Sequence, residues 1–337
     1  MTWTKLDSSK SCVRNEVKKL LDNNITLEEK RDAIQVVANF RSAHSYPMQS
    51  MIGHIRKKAF QVDKHAIVVR RLKRIPSILA KLKRFPGMQI TNMGDIGGIR
   101  VIVKEFKHVQ QLQGELIKSR TKHRLCRHDN YLENPKVSGY RSIHLTYKYQ
   151  GGKGEYHGFR VEIQLRSKVQ HAWATAVEVV GTFLGENLKA SQGNTAWLHF
   201  FQLVSKAFAC LETNTAIDDA LKHNIQQDMA QLKVEDTLNS FTLVARSVPT
   251  KADGFYLLRL DTKEKTITAQ FISKDLLPDA YEDYRRIELE IAEDPTQDVV
   301  LVSAKSLKEL KLAYPNYFAD TYLFLNNLKK ILNLGKH

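Results

Sequence analysis

A chain of 337 residues with 42% hydrophobic and 26% charged residues has the composition of an ordinary globular protein, long enough for about two domains. No apolar run approaches the ~20 residues of a membrane span, the opening MTWTKLDSSKS lacks a signal-peptide core, and the three cysteines form no CxxC pair. A cytoplasmic protein with no membrane partner, no disulfide framework and no zinc is therefore expected. The net charge of +16 is unevenly spread: residues 1–185 hold 34 of the 52 lysines and arginines and 15 of the 36 acids, a net of +19, which leaves −3 for the rest and suggests a polyanion-binding part beside a near-neutral one.

Residues 8–40 read as helix, with Ser8 and Ser9 as candidate caps and a second start at Thr26, where Glu28 and Glu29 suit a first turn. The Tyr46–Pro47 step ends that helix, and Met51 to Phe60 resumes it. The most basic segment follows, from Ile67 to Met88. Val68, Leu72, Ile75, Leu79 and Leu82 recur there at three- and four-residue spacing, which predicts an amphipathic helix that Pro76 splits in two, with Ser77 capping the second half. Arg70, Arg71, Lys73, Arg74, Lys81, Lys83 and Arg84 crowd together without a carboxylate. A triphosphate or a nucleic-acid backbone would relieve their repulsion. Ile99 to Val103 is a buried strand, with Asp95 just ahead of it and Arg100 inside it; residues 107–125 read as helix.

Asn134 to Arg166 forms two alternating runs around the Gly-rich turn Gly151–Gly154, a hairpin signal. The period-2 rule places Tyr140, Ser142, His144, Thr146 and Lys148 on one face, and Arg160, Glu162, Gln164 and Arg166 on one face of the second strand. Glu162 and Asp95 supply two hard oxygen donors of the kind that hold Mg²⁺ together with substrate phosphates. Ser167 caps a following helix in which His171 and Trp173 read as packing groups. Residues 186–235 read as a helical connection. Beyond it come a strand (Phe241–Ser247), a hairpin (Phe255–Leu260 with Thr266–Ile272), a helix near 274–293, a strand (Asp298–Ser303) and helices to the end. No Walker A, GxGxxG or HExxH pattern occurs.

Four motifs occur in order: R-x-K-x-x-x-S-x-x-x-K at Arg71, Lys73, Ser77 and Lys81; D-I-x-G-I-R-V-I from Asp95; P-K-x-x-G-Y-R-S-I-H from Pro135; and V-E-I-Q-x-R from Val161, with H-x-W at His171. Together they resemble the synthetase domain of RelA/SpoT homologues, enzymes that move a pyrophosphate from ATP to a ribose hydroxyl. The resemblance implies an α+β fold: a mixed-sheet, nucleotidyltransferase-like synthetase domain flanked by helices over 1–185, a helical connector over 186–235, and a small α+β domain over 236–337. It implies that Arg71 and Arg100 clamp the ATP adenine and that Lys73, Ser77 and Lys81 hold its phosphates. Asp95 and Glu162 would hold Mg²⁺, with Glu162 as general base; Tyr140 would stack on the acceptor base, and Lys136, His144 and Gln164 would bind the acceptor. Alarmone-making members usually carry Asn-Gly-Tyr where this chain has Ser138-Gly139-Tyr140, a departure that bears on guanosine recognition.

The C-terminal element order and the segment YPNYF, Tyr314 to Phe318, resemble the pseudo-zinc-finger antitoxin domain of CapRel fused toxin–antitoxins. There a Tyr-x-x-Tyr segment blocks the ATP pocket, which implies an autoinhibitory role for Tyr314 and Tyr317. The function so implied is an ATP-dependent pyrophosphokinase that modifies the 3′-CCA end of tRNA, held inactive in cis and released by a phage protein such as the major capsid protein. Transfer to GDP or GTP is the alternative, and an inactive RNA-binding regulatory module is a third reading.

Overall fold

The computed structural model describes residues 3–333 except 23, 186–187, 189–192, 242–243, 247–253, 292–293, 295 and 305. It is a mixed α+β structure. Three helices open the chain: α1 (Lys10–Leu21), α2 (Leu27–Ser42) and α3 (Ser45–Val62). Their starts follow the expected side-chain chemistry. Ser9 accepts from the Cys12 amide, and Thr26 exchanges hydrogen bonds with Glu29 in a capping box. The helix break falls earlier than expected, after Ser42, because Pro47 lies in the first turn of α3, where its missing N–H costs nothing.

Among the described residues nine strands form one sheet, in the order β3-β4-β5-β2-β1-β9-β7-β8-β6. Their ranges are β1 (Ile67–Leu72), β2 (Gly97–Val103), β3 (Arg124–Asn130), β4 (Ile143–Lys148), β5 (Arg160–Ser167), β6 (Val244–Arg246), β7 (Gly254–Asp261), β8 (Thr266–Ile272) and β9 (Gln297–Ala304). The β2–β5 and β6–β8 pairs are parallel and the others antiparallel.

Two expectations need correction. Ile67–Leu72 is not the first half of a split helix but a strand, paired with β2 along its whole length. Its Ile-Val-Val start favours a pleated, half-buried surface, and pairing outweighs the four-residue spacing of Val68 and Leu72. The helix that follows, α4 (Ile75–Arg84), has Arg74 at its N-cap position, without a side-chain cap bond, and Pro76 inside its first turn; Ser77 is not its cap. Further along, the expected helix 107–125 stops early as α5 (Phe106–Lys118), and the segment after it becomes the edge strand β3.

The predicted C-terminal strands do not make a sheet of their own. Arg70 and Arg71 of β1 pair with Ser303 and Val302 of β9, so β9, β7 and β8 continue the sheet that carries Glu162. Cross-strand partners share a face, and one row can be followed across the molecule: Arg127, Thr146, Glu162, Gly98, Arg71, Val302, Tyr256, Phe271. It is polar up to Arg71 and apolar beyond.

On the apolar half of this face sit α11 (Leu307–Ala313) and the 3₁₀ turn Pro315–Phe318. Leu310, Ala313, Tyr314 and Tyr317 pack there on Val69, Tyr256, Leu258, Val300 and Val302. The opposite face is covered by α3 and α5 under the N-terminal strands and by α10 (Leu277–Glu290) under β7 and β9. A separate helical core joins α6 (Lys168–Phe183), α7 (Thr195–Thr213), α8 (Asp219–Leu232), α9 (Val234–Ser240) and α12 (Tyr322–Ile331) around Trp173, Phe200, Phe201 and Phe324. Among the described residues no helix is long and apolar enough to cross a membrane.

Candidate active site

The β4–β5 hairpin brings together the groups that the alternation placed on one face. His144 pairs with Gln164, and Thr146 with Glu162. His144 Nδ1 donates to Glu162 Oε1 at 2.7 Å, and Gln164 Nε2 donates to Oε2 at 2.9 Å. Burial works to raise the Glu162 carboxyl, but His144, Gln164 and Lys81 override it and hold the group well below the usual carboxylate range. Burial likewise opposes charge on His144, yet Glu162 and Tyr140 push it up to about 9. The pair is a carboxylate beside an imidazolium at neutral pH.

Asp95, in the turn before β2, faces the same cleft. Lys73, just past β1, lies 3.0 Å from Asp95 Oδ2, and Lys81 on α4 lies 2.9 Å from Oδ1. The Lys73 amide donates to Ile96 O at 2.8 Å, fixing the two segments against each other. Burial and the nearby Glu162 raise the Asp95 carboxyl, while Lys73 and Lys81 outweigh them and lower it. The two carboxylates are close enough to sense one another. Both are hard oxygen donors on one cleft wall with ammonium groups beside them, a set that fits Mg²⁺ shared with phosphates.

Arg71 and Arg100 complete the polar wall. Arg100 is drawn down to about 10 by burial and by the like charges of Arg166 and Arg71. These guanidinium groups converge where an anion or an electron-rich ring would relieve them. Tyr314, which is 1% exposed, lines the same cleft. Its ring lies 5.4 Å from the Arg100 guanidinium and its hydroxyl donates to Arg70 O at 3.3 Å. Arg100 Nη1 also donates to Ala313 O (2.9 Å), and His171 Nε2 meets Leu312 O (3.0 Å). The carbonyls at the end of α11 are thus held by side chains of β2 and α6. Tyr317 donates to Asp298 Oδ2 at 2.9 Å, and Asp298 is ion-paired with Arg74. Between these groups about 40 Å³ remains, room for a few waters.

The acceptor candidates are arranged differently from expectation. Tyr140 does not offer its ring for stacking: it is 3% exposed, inside the helical core, and its hydroxyl lies 2.7 Å from His144 Nε2 and accepts from Arg166 Nη2 at 2.6 Å. Gly139 explains the depth. Its φ is +87°, and a Cβ there would come within 3.0 Å of Ser205. The half-buried ring beside the site is Tyr131, edge-on to His144 with centroids 5.2 Å apart and with the exposed Lys136 ammonium 4.5 Å over it. Sequence reading passed over Tyr131 because it treated β3 as a connection; the alternation of Arg127, Asp129 and Tyr131 was the available signal. Ser77 is half-buried in the first turn of α4.

Residues 70–180 match the model of the region found in RelA / SpoT proteins. The GTP pyrophosphokinase YjbM of Bacillus subtilis is 36% identical over 112 residues, 32% of this chain and 52% of that protein. The GTP pyrophosphokinase of Haemophilus influenzae is 30% identical over 146 residues, 43% of this chain and 17% of its own length. The chain therefore spans about half of one curated relative and about a sixth of the other. Among solved structures, small alarmone synthetase 1 from Bacillus subtilis bound to its product pppGpp superposes with a TM-score of 0.45 at 23% identity, covering 52% of this chain and 92% of that one.

Proposed function

We propose that this chain transfers pyrophosphate from ATP to a ribose hydroxyl. The observation that carries this reading is the convergence of Asp95 and Glu162 with Lys73, Lys81, Arg71 and Arg100 on one cleft. In the reaction the acceptor oxygen bonds to the β-phosphorus, the bond from that phosphorus to the oxygen bridging it to the α-phosphate breaks, and AMP leaves. Phosphoryl-type transfer needs positioning and charge neutralisation more than covalent chemistry. Lys73, Ser77 and Lys81 bind the phosphates; Arg71 and Arg100 hold the adenine. Mg²⁺, when bound by Asp95 and Glu162, neutralises charge on the transferred group. A carboxylate held as low as Glu162 is a weak base, so it orients the attacking hydroxyl by accepting its hydrogen bond and takes the proton late, with His144 and Gln164 fixing its direction.

The acceptor we propose is the 3′-terminal adenosine of tRNA, modified so that translation stops. Arg124, Arg127, Lys148 and Arg160 extend the Glu162 face to the sheet edge, a cationic track longer than a mononucleotide needs, and Ser138 stands where alarmone-making members have Asn. The C-terminal region is then an antitoxin-like, pseudo-zinc-finger part whose Tyr314 and Tyr317 brake the enzyme, released by a phage protein such as the major capsid protein. A second reading, transfer to GDP or GTP, is favoured by the curated relatives, which are GTP pyrophosphokinases. Incubating the Tyr314→Ala protein with ATP labelled at its terminal phosphate, offered deacylated tRNA and GDP/GTP separately, tests both. Label on tRNA supports the first reading, label on guanosine nucleotide the second, and no transfer refutes pyrophosphokinase activity.

A further inference from the structure

Helix α4 begins at a residue that cannot cap it. Arg74 has no acceptor, and the helix start receives no side-chain cap from its own residues, although the first amides of a helix need partners. The partner comes from 213 positions away: Ile75 N–H donates to Glu288 Oε1 at 2.7 Å. The other oxygen of Glu288 is ion-paired with Arg41 Nη1. Both side chains are deeply buried, Glu288 at 5% and Arg41 at 1% exposure. The Arg41 guanidinium lies 4.6 Å from the Tyr284 ring, and the Tyr281 hydroxyl meets Ser45 Oγ at 2.6 Å. Tyr281, Tyr284 and Glu288 recur at spacings of three and four, so one face of α10 reads α2, α3 and α4 together. A lone buried carboxylate would be too costly to keep charged. The Arg41 guanidinium pairs with it at a helix start, where the dipole favours an acidic group.

We propose that Glu288 is a positioning residue for the ATP phosphates: it caps α4 from the C-terminal region and holds the helix that carries Ser77 and Lys81 in register with Asp95. The proposal rests on the pyrophosphate-transfer reading. It gives the C-terminal region two opposed tasks on two faces of one sheet. Tyr314 shuts the cleft on the Glu162 face, while α10 packs on the other face and keeps the phosphate helix in place. Activation then consists of withdrawing the 314–317 segment with α10 still seated.

The test uses the full chain with Tyr314→Ala. Removing Glu288 alone would strand Arg41, so both charges are replaced together, as Arg41→Met/Glu288→Met, a kind of exchange that buried ion pairs tolerate. Two readouts are taken: amide hydrogen exchange across the first turn of α4, and binding of a non-hydrolysable ATP analogue by calorimetry. The expected result is exchange faster by roughly five- to tenfold, the effect of a lost cap, with analogue affinity weakened by a similar factor. Adding Arg74→Ser, which supplies a local cap, restores both. Unchanged exchange overturns the proposal, as does faster exchange with undiminished affinity or failure of Arg74→Ser to restore either. If the Tyr314→Ala protein itself binds no ATP analogue, the pyrophosphokinase reading fails, and so does the assignment to the phosphates; the exchange arm separately decides whether Glu288 holds α4.

Discussion

The two halves of the sheet are built from the same row of paired residues and do opposite work. From Arg127 to Arg71 the row is mostly charged or hydrogen-bonding, and Glu162, Gly98 and Arg71 line the cleft; from Val302 to Phe271 it is apolar and covered by α11 and the turn after it. The junction is β1 against β9, where Arg70 and Arg71 pair with Ser303 and Val302. An apolar platform seated next to a polar cleft lets a segment docked on the first reach into the second, and Tyr314 does so. Arg100 belongs to both halves: its guanidinium lines the cleft and donates to Ala313 O, next to Tyr314.

Substitutions in the two halves should separate chemistry from stability. In the Tyr314→Ala background, Glu162→Gln is expected to reduce transfer by about a thousandfold or more, roughly 4 kcal/mol of transition-state stabilisation, with a thermal midpoint shifted by only a few degrees. A variant that keeps its rate would remove Glu162 from the mechanism. Val302→Ala should do the reverse. It deletes buried methyl groups under the docked segment and should cost about 1–3 kcal/mol in denaturant unfolding, while ATP affinity in the same background stays unchanged; a matching loss of affinity would mean that the halves are not separable. Tyr317→Phe removes one hydrogen bond, to Asp298, worth about 1 kcal/mol. Basal transfer should then rise about fivefold over the wild type, and silence would show that Tyr317 only packs.

A further effect is in pH. The folded-state pKa of His144 is raised to about 9, so its pairing with Glu162 contributes stability that is fully present below the unfolded value of about 6.5 and is lost as pH rises through about 9. Glu162 is shifted the other way, so its share is present above about 4.5 and lost in acid. Unfolding measured between pH 7 and 10 should show a decline that His144→Gln lacks. Equal slopes in the two proteins would mean that the pair does not couple to folding.

Much of the half that carries Glu162 was legible because its signals are local. The alternation around His144 and Glu162 fixes which groups share a face, and Ser9, Thr26 and Ser167 cap helices within three residues of themselves. Pro47 and Pro76 sit inside helix starts that the local reading put elsewhere, but the larger failures involve partners distant in sequence. Apolar spacing in Ile67–Leu72 suits a helix as well as a strand until β2 and β9 pair with it. Tyr140 alternates onto the right face, yet it is buried by α7, which packs against Gly139 through Ser205 and Gln202. The chain after residue 236 reads as a domain in its own right, and the β1–β9 pairing joins its strands to the sheet that carries Glu162. Glu288 carries no signal at all, since an acidic residue on an acidic helix is ordinarily solvated; its meaning depends on Arg41 and on a helix that lacks its own cap.

The claim on which the rest depends is that the Tyr314 segment and ATP compete for one cleft. Titration of a non-hydrolysable ATP analogue into the wild-type and Tyr314→Ala proteins tests this directly. Tyr314 lines the cleft together with Arg71, Arg100 and Gln164, so its removal is expected to tighten binding on the order of a hundredfold, about 2.7 kcal/mol. Equal affinities, or no binding to either protein, would contradict the account.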